Sequence, residues 1–545
     1  MPSFDLTTQP WIPCVLQVGT QGDRSLGDAL IQAHEIREIV DPSPLVTVAL
    51  HRLMLAILHR AHNGPPSFSA WEDLWRSSRW SPDLVGSYLG TWRHRFDLFH
   101  PDRPFYQGPS LGEHETQHPV SRLAQEVATG NNATLFDHGG DALSPAAAAR
   151  YLVAHLSFAI GFGKSLPFYL KDSPALRGYN VFGLGDTLFQ TLALNLLPYN
   201  SERPLPWHGV DLPAWEQDPP PESRENGSLI HGYLDYLTWQ SRRVHLIPEG
   251  DPVRVRFCQF RQHLAARDIP LDPFKAYRID PERGRLPRGL NPDRALWRDS
   301  HTLLQRAAAT AARPEVFNHL ARVDTARRAG AIFARPSHRV AIFGFATDVG
   351  KAASVILWRQ ERLPIPLAYL DDDLLLASLN TALGQAEEIG RLFAPGFSPR
   401  KDDPKRQAPR PLQILAETYL PTPADSRPDQ AAIDRFLDHL DPSRRYWVAL
   451  ELPFRRLLLD LPNDRTLHDD GDPVYGETTL PIWAAEVRRH AWRAFDDATR
   501  GLDTSARALK ATALARRAFA AAMRDRLDPW LDSPKETADV RTLAP

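Results

Sequence analysis

The sequence predicts an α+β protein in two parts: a large irregular mixed α/β domain over residues 1–365, then a C-terminal helical bundle of four-helix type over residues 366–545. Three observations lead there. A chain of 545 residues, 43% of them hydrophobic, exceeds the usual size of one domain and can bury a large core. Before residue 366, short strand-like runs such as WIPCVLQV and RVAIFGFA alternate with helices and proline-rich connections, including DPPPES at Asp218 to Ser223. After it the pattern turns helical, with segments near 371–393, 410–419, 428–440, 443–461, 479–500 and 505–527.

In chain order, the first well-marked helix is DPSPLVTVALHRLMLAILHRAH, where Ser43 suits the cap and Pro44 the first turn. Its apolar residues run almost all round, so it is expected to be buried. His51, His59 and His62 lie on or beside it without an acidic or thiol partner at ligand spacing, which favours satisfied or surface histidines over a metal site. VATGNNATLFDHGG follows at Val127 to Gly140. Gly130, Asn131 and Asn132 favour turn conformations, so Phe136 sits in a loop, either as a plug returning to the core or as a hook for a partner.

IGFGKS, Ile160 to Ser165, reads either as a tight turn or as a loop whose Gly161 and Gly163 admit close backbone approach, with Lys164 placed to meet a phosphate. HRVAIFGFATDVGKAASVILWRQERLP reads as two strands around a turn at Thr347 to Lys351. Its tip is an ordinary turn or a wedge between base steps. Asp371, Asp372 and Asp373 open a helix, where capping and the macrodipole explain them more simply than metal binding. RKDDPKRQAPR, from Arg400 to Arg410, is expected to be a solvated loop. The last helices break at Gly501 and restart at Asp503, Thr504 or Ser505. There Arg507, Lys510, Arg517 and Arg524 fall near one face, opposite Ala511, Ala515, Ala518, Phe519, Ala522 and Met523. Such a basic stripe is a solvated face or a set of phosphate contacts.

Composition excludes several classes. A net charge of -2 argues against non-specific coating of nucleic acid, so any such contact rests on local patches. The start, MPSFDLTTQPWIP, has no signal-peptide pattern and no later run is long and apolar enough for a membrane span, so a soluble cytoplasmic protein without membrane partners is expected. The two cysteines, Cys14 and Cys258, cannot form a four-thiolate zinc site. FAIGFGKS carries Phe158 where a phosphate-binding loop needs glycine, and HEIRE carries Glu38 where a zinc-protease helix needs histidine. HDDGDP, from His468, reads as an acidic turn with only a weak claim on calcium or magnesium. No catalytic residue, metal or cofactor is therefore predicted.

SLGDALIQAHEIREIVDPSPLVTVALHRLMLAILHRAH, RHRFDLFHPDRPFYQ, GNNATLFDH and YLTWQSRRVHLIPE, in this order, resemble the CasA family, the large subunit of the type I-E CRISPR surveillance complex called Cascade. The resemblance runs across roughly the first 360 residues, and a helical C-terminal part is also what that family has. It implies a non-enzymatic subunit whose partners are double-stranded target DNA, the 5' end of the CRISPR guide RNA, the other Cascade subunits and a helicase-nuclease. Residues Gly130, Asn131, Asn132 and Phe136 would anchor guide RNA and complex, which makes Phe136 the hook. Gly161, Phe162, Gly163 and Lys164 would read the protospacer-adjacent motif from the minor groove, and Arg261 would assist. Some relatives have another glycine at the position of Lys164, a departure that leaves the accepted motif open. The wedge maps to Thr347, Asp348, Val349, Gly350 and Lys351, although the family's characteristic glutamine is absent. The bundle, through Arg507, Lys510, Arg517 and Arg524, would hold opened strands. The rival readings are a metal-dependent nuclease built on Asp371 to Asp373 or Asp469 to Asp472, and a purely structural scaffold subunit.

Overall fold

Helix Pro44–Ala61 shows how this sequence builds its core. Apolar residues occupy every face, and side chains from Pro44 through His59 are all buried. Ser43 holds the cap position and Pro44 the first turn, but the Ser43 hydroxyl makes no capping bond. The Asp41 carboxylate accepts the Ser43 amide proton instead (2.9 Å), so the turn before the helix is closed from outside it. Around this helix pack Pro145–Phe158, Pro82–Trp92, Leu188–Asn195, Tyr233–Leu237 and the strand Ser337–Asp348. One charge is buried in the helix, Arg52, and it meets Asp272 at 2.8 Å with both side chains almost fully enclosed. Tyr236 also donates to Asp272 (2.7 Å), and the Arg52 guanidinium lies 5.1 Å from the centre of the Tyr236 ring. Burial pushes the Asp272 carboxyl up, but Arg52 and the hydrogen bonds overcome this and hold it below its ordinary range.

The computed structural model describes residues 2–108, 116–124, 142–159, 173, 175–176, 178–207, 209–219, 228–262, 270–291, 293–306, 311–348, 354–399, 407–421, 427–468 and 473–531. The chain divides into two units, Met1–Leu363 and Pro364–Pro545. The first is mixed α/β. Its strands form small antiparallel sheets: Ile12–Leu16 between Gln21–Arg24 and Ile36–Ile39; Arg254–Gln262 between Gln117–Pro119 and Arg242–Glu249; and Ser337–Asp348 between Asn180–Leu184 and Ser354–Pro366.

The second unit is mainly helical, with two short strand pairs. Four long helices, Asp373–Gly390, Pro442–Asp460, Thr479–Arg500 and Ala506–Leu531, pack on one another. Two shorter ones, Pro411–Tyr419 and Gln430–Leu440, join them, the former lying along the last helix. Phe393, Trp492, Phe495 and Phe519 meet in the core of this unit, with Phe495 and Phe519 stacked at 4.7 Å. The last helix restarts as its sequence directs: Ser505 Oγ accepts from the Ala508 amide (3.2 Å) while Asp503 accepts from the Ser505 amide (2.9 Å).

Candidate nucleic-acid interface

Helix Pro145–Phe158 lies between the two segments that the sequence reads as functional loops. Ser144 caps it by accepting from the Ala147 amide (3.2 Å), and its apolar face buries Ala148, Ala149, Leu152, Val153 and Leu156. The loop on its N-terminal side contains Gly130, Asn131, Asn132 and Phe136, all outside the described residues. Both approaches to that loop are fixed. On the entry side, the Leu123 carbonyl accepts from His155 Nδ1 (3.0 Å). On the exit side, Leu143 and Val255 exchange backbone hydrogen bonds of 2.8 and 2.9 Å. Burial, followed by the nearby positive charge of Arg242, lowers the His155 pKa from 6.5 to about 3. The ring is therefore neutral near pH 7 and donates from Nδ1 as a fixed strut.

The glycine loop leaves the other end. Gly161, Phe162, Gly163 and Lys164 lie outside the described residues, but the stem beneath them does not. The Ser173 amide donates to the Ala159 carbonyl (3.0 Å) and the Ala175 amide to the Ser157 carbonyl (3.2 Å), so the two chain segments are zipped where the loop departs. Below this, Ser241 Oγ donates to the Leu156 carbonyl (3.0 Å), which leaves the Ser173 hydroxyl to donate to Ser241 Oγ (2.5 Å). Both serines are buried. Ser241 immediately precedes strand Arg242–Glu249, and the register of the sheet sets Arg243 opposite Arg261. Arg261 thus belongs to the strand paired with the one that begins beside Ser241, although it is far from the glycine loop in sequence; its side chain is not among those described.

The predicted hairpin forms from strands Ser337–Asp348 and Ser354–Pro366, which lie side by side in one sheet. Thr347 and Asp348 are not turn residues, as the sequence suggested, because the strand continues through both. Val349, Gly350 and Lys351 lie outside the described residues. The third strand pairs only with Arg339 to Phe343, so the residues from Gly344 to Asp348 run past it, an arm of roughly 16 Å at the usual strand rise. Its root is tied down. Arg362 pairs with Glu38 (2.7 Å), and Glu361 accepts from the Leu296 amide (3.1 Å).

On the last helix Arg507, Lys510, Arg517 and Arg524 are exposed. The buried face comprises Ala508, Ala511, Ala515, Phe519, Met523 and Leu527. Lys510, Arg517 and Arg524 recur every seven residues, which keeps them within about 40° of one another on the far side. None of these three forms an ion pair among the described residues, whereas Arg516 is committed to its own unit, pairing with Asp496 and lying 4.9 Å from the Trp492 ring centre.

The acidic and histidine clusters have other occupations. Asp372 caps helix Asp373–Gly390, accepting from the Leu375 amide (2.9 Å) and from the Tyr475 hydroxyl (2.7 Å). Residues 469–472 lie outside the described residues, and among those described no three His, Cys, Asp or Glu side chains gather as a metal site. His51 Nδ1 donates to the Thr47 carbonyl (2.6 Å) and His59 Nδ1 to the Gly64 carbonyl (3.2 Å). His62 lies against the Trp80 ring. Cys14 and Cys258 are buried free thiols pushed up to about 12 by burial. No described helix is long and apolar enough to cross a membrane.

The sequence matches the family described as CRISPR-associated protein Cse1 over residues 5–494. It is 31% identical over 518 residues to the CRISPR-associated protein CasA/Cse1 of Thermus thermophilus, covering 91% of this chain and 92% of the relative. This chain belongs to the Cse1 (CasA) family. The crystal structure of Thermus thermophilus CasA is similar with a TM-score of 0.76 at 29% identity, over 96% of this chain and 100% of that one. Cse1 from Acidimicrobium ferrooxidans follows with a TM-score of 0.74 at 25% identity, over 97% and 99%. The family resemblance read from the separated motifs therefore holds along most of the chain, and with it the role of large subunit of a CRISPR surveillance complex. Ser173, Ser241 and His155, which support the loops of this Cse1 chain, carried no signal in the sequence, because single serines and histidines acquire such roles only from distant partners.

Proposed function

We propose that this Cse1-family chain is the non-catalytic subunit that tests the protospacer-adjacent motif in double-stranded DNA. It reads from the minor groove with Gly161, Phe162, Gly163 and Lys164, assisted by Arg261. The observation that carries this reading is the buried Ser173–Ser241–Leu156 linkage, which ties the foot of the glycine loop to the strand paired with that of Arg261. A loop that must approach base edges needs a rigid base, since error in the stem is transmitted to the tip. Minor-groove reading separates A·T from G·C and is otherwise degenerate, so several related motifs are accepted.

The remaining parts take consistent places. Gly130, Asn131, Asn132 and Phe136 seat the subunit on the 5' end of the guide RNA, where Phe136 offers an aromatic stacking surface. The arm ending at Thr347 to Lys351 enters beside the motif and stabilises the first opened pairs, after which a seed heteroduplex grows. Lys510, Arg517 and Arg524, with Arg507, hold phosphates of the opened strands. Cleavage belongs to a helicase-nuclease that the subunit helps recruit, in the cytoplasm. The deciding experiment is binding of the reconstituted complex to a library of randomised flanking motifs. Enrichment of a small related set, lost with Gly163→Ala, supports the reading; equal binding to all motifs makes this a scaffold subunit. Magnesium-dependent cutting by the purified chain alone would make it a nuclease.

A further inference from the structure

Phe333 is 95% exposed, far more than any other aromatic among the described residues. Its backbone is nevertheless held firmly. Helix Glu315–Arg328 ends in a turn where Gly330 has a φ of +71°, a left-handed value that favours glycine, and the Ala331 amide returns to the Ala326 carbonyl (2.9 Å). The strap that follows crosses helix Phe68–Ser77. Trp75 Nε1 donates to the Phe333 carbonyl (2.9 Å), Arg76 Nε to the Ala331 carbonyl (3.2 Å), and Arg335 pairs with Asp186 (2.9 Å). Ile332 is buried beneath the strap while the next side chain points out. The Trp75 bond fixes the Phe333 carbonyl, so this chain displays a large apolar group in water on a backbone already ordered.

The charges beside it indicate what kind of surface covers it. Arg76 is held by Asp73 (2.7 Å) and Glu72 (3.8 Å), and Arg335 by Asp186. These flanking cations are matched by carboxylates, whereas a nucleic-acid surface offers cations free to meet phosphates beside its aromatics. A buried aromatic anchor within a polar rim of both signs is the anatomy of a protein–protein contact. We propose that Phe333 is such an anchor, inserting into an apolar socket on another protein subunit of the surveillance complex. This rests on the chain being a complex subunit and is independent of how the motif is read.

The test titrates full-length wild type, Phe333→Ala and Phe333→Leu onto purified complex reconstituted without this subunit. The alanine variant should bind about tenfold or more weakly, as expected for loss of a hot-spot aromatic. The leucine variant should fall between, and both should melt at the wild-type temperature because the ring packs on little of its own chain. Equal affinities overturn the proposal. So does a defect confined to oligonucleotide binding by the free chain, a Phe333-dependent self-association in sedimentation, or a melting temperature that falls as for a core truncation. If wild type itself fails to join the complex, it is the reading as a subunit that falls, and the inference with it.

Discussion

Ser241 shows how much one small side chain can carry in this protein. Its hydroxyl is buried, donates to the Leu156 carbonyl and accepts from Ser173, so it ties the end of a helix, the return of the glycine loop and the start of a strand together. Ser241→Ala leaves the Ser173 hydroxyl and the Leu156 carbonyl without this partner, and should cost about 1–3 kcal/mol of stability. Because the loss falls at the foot of the loop, motif-dependent binding by the assembled complex should weaken more than its motif-independent binding. Melting curves and paired titrations on matched and unmatched flanking motifs measure the two effects. Equal weakening on both targets would show the linkage to be a fold contact only. Phe136 poses the converse case. If it is a hook, Phe136→Ala should leave the melting temperature of the free chain unchanged and weaken its attachment to the guide-bearing complex; a melting drop typical of core truncation would make it a plug.

At the scale of elements, the glycine loop and the hairpin arm are proposed to act in sequence, and that order can be separated. A wedge acts by stabilising unstacked pairs, and unstacking costs on the order of a few kcal/mol per step. A target with its first pairs already mismatched removes most of that cost. Variants at Asp348 to Lys351 should then recover R-loop formation on pre-opened DNA, whereas Gly163→Ala should recover less, because its defect lies in finding the motif. Equal rescue of both would sink the division of labour. The last helix offers a second test. Reversing the charge at Arg507, Lys510, Arg517 and Arg524 should flatten the dependence of log affinity on log salt, by about one unit for each lost phosphate contact. An unchanged slope would identify the stripe as a solvated face. Arg516 is left out of that set because Asp496 and Trp492 already engage it, a distinction its position in the sequence does not announce.

For the whole molecule, buried histidines make stability depend on pH. His59, His155 and His319 are lowered from 6.5 to about 3 and His338 to about 4, in each case chiefly by burial. All four belong to the unit Met1–Leu363. Since the folded values lie below the unfolded ones, the unfolded chain binds more protons between them. Their contribution is intact above about 6.5 and is lost as pH falls toward the folded values. The melting temperature should therefore be lower at about pH 5 than at about pH 7.5, and identical melting at both would contradict neutral, buried rings.

What the sequence determined by itself follows from short-range physics. The six C-terminal helices are legible from apolar spacing and punctuation: Asp372 and Ser505 cap, Gly501 ends a helix, and Ala511, Ala515, Phe519 and Met523 lie on the buried face, each within a few residues of what it controls. The hairpin strands are legible in the same way, and separated motifs in order were enough to point to the family. Tertiary structure decided the rest. The strand running on through Thr347 and Asp348 depends on a partner strand, and the turn before Pro44 is closed by Asp41 rather than by the Ser43 hydroxyl. The meeting of Ser173 with Ser241, of His155 with Leu123, and of Arg261 with Arg243 across the sheet needs segments well separated in the chain to pack in one register. No local period encodes such a meeting, because its energy comes from burial shared among distant residues.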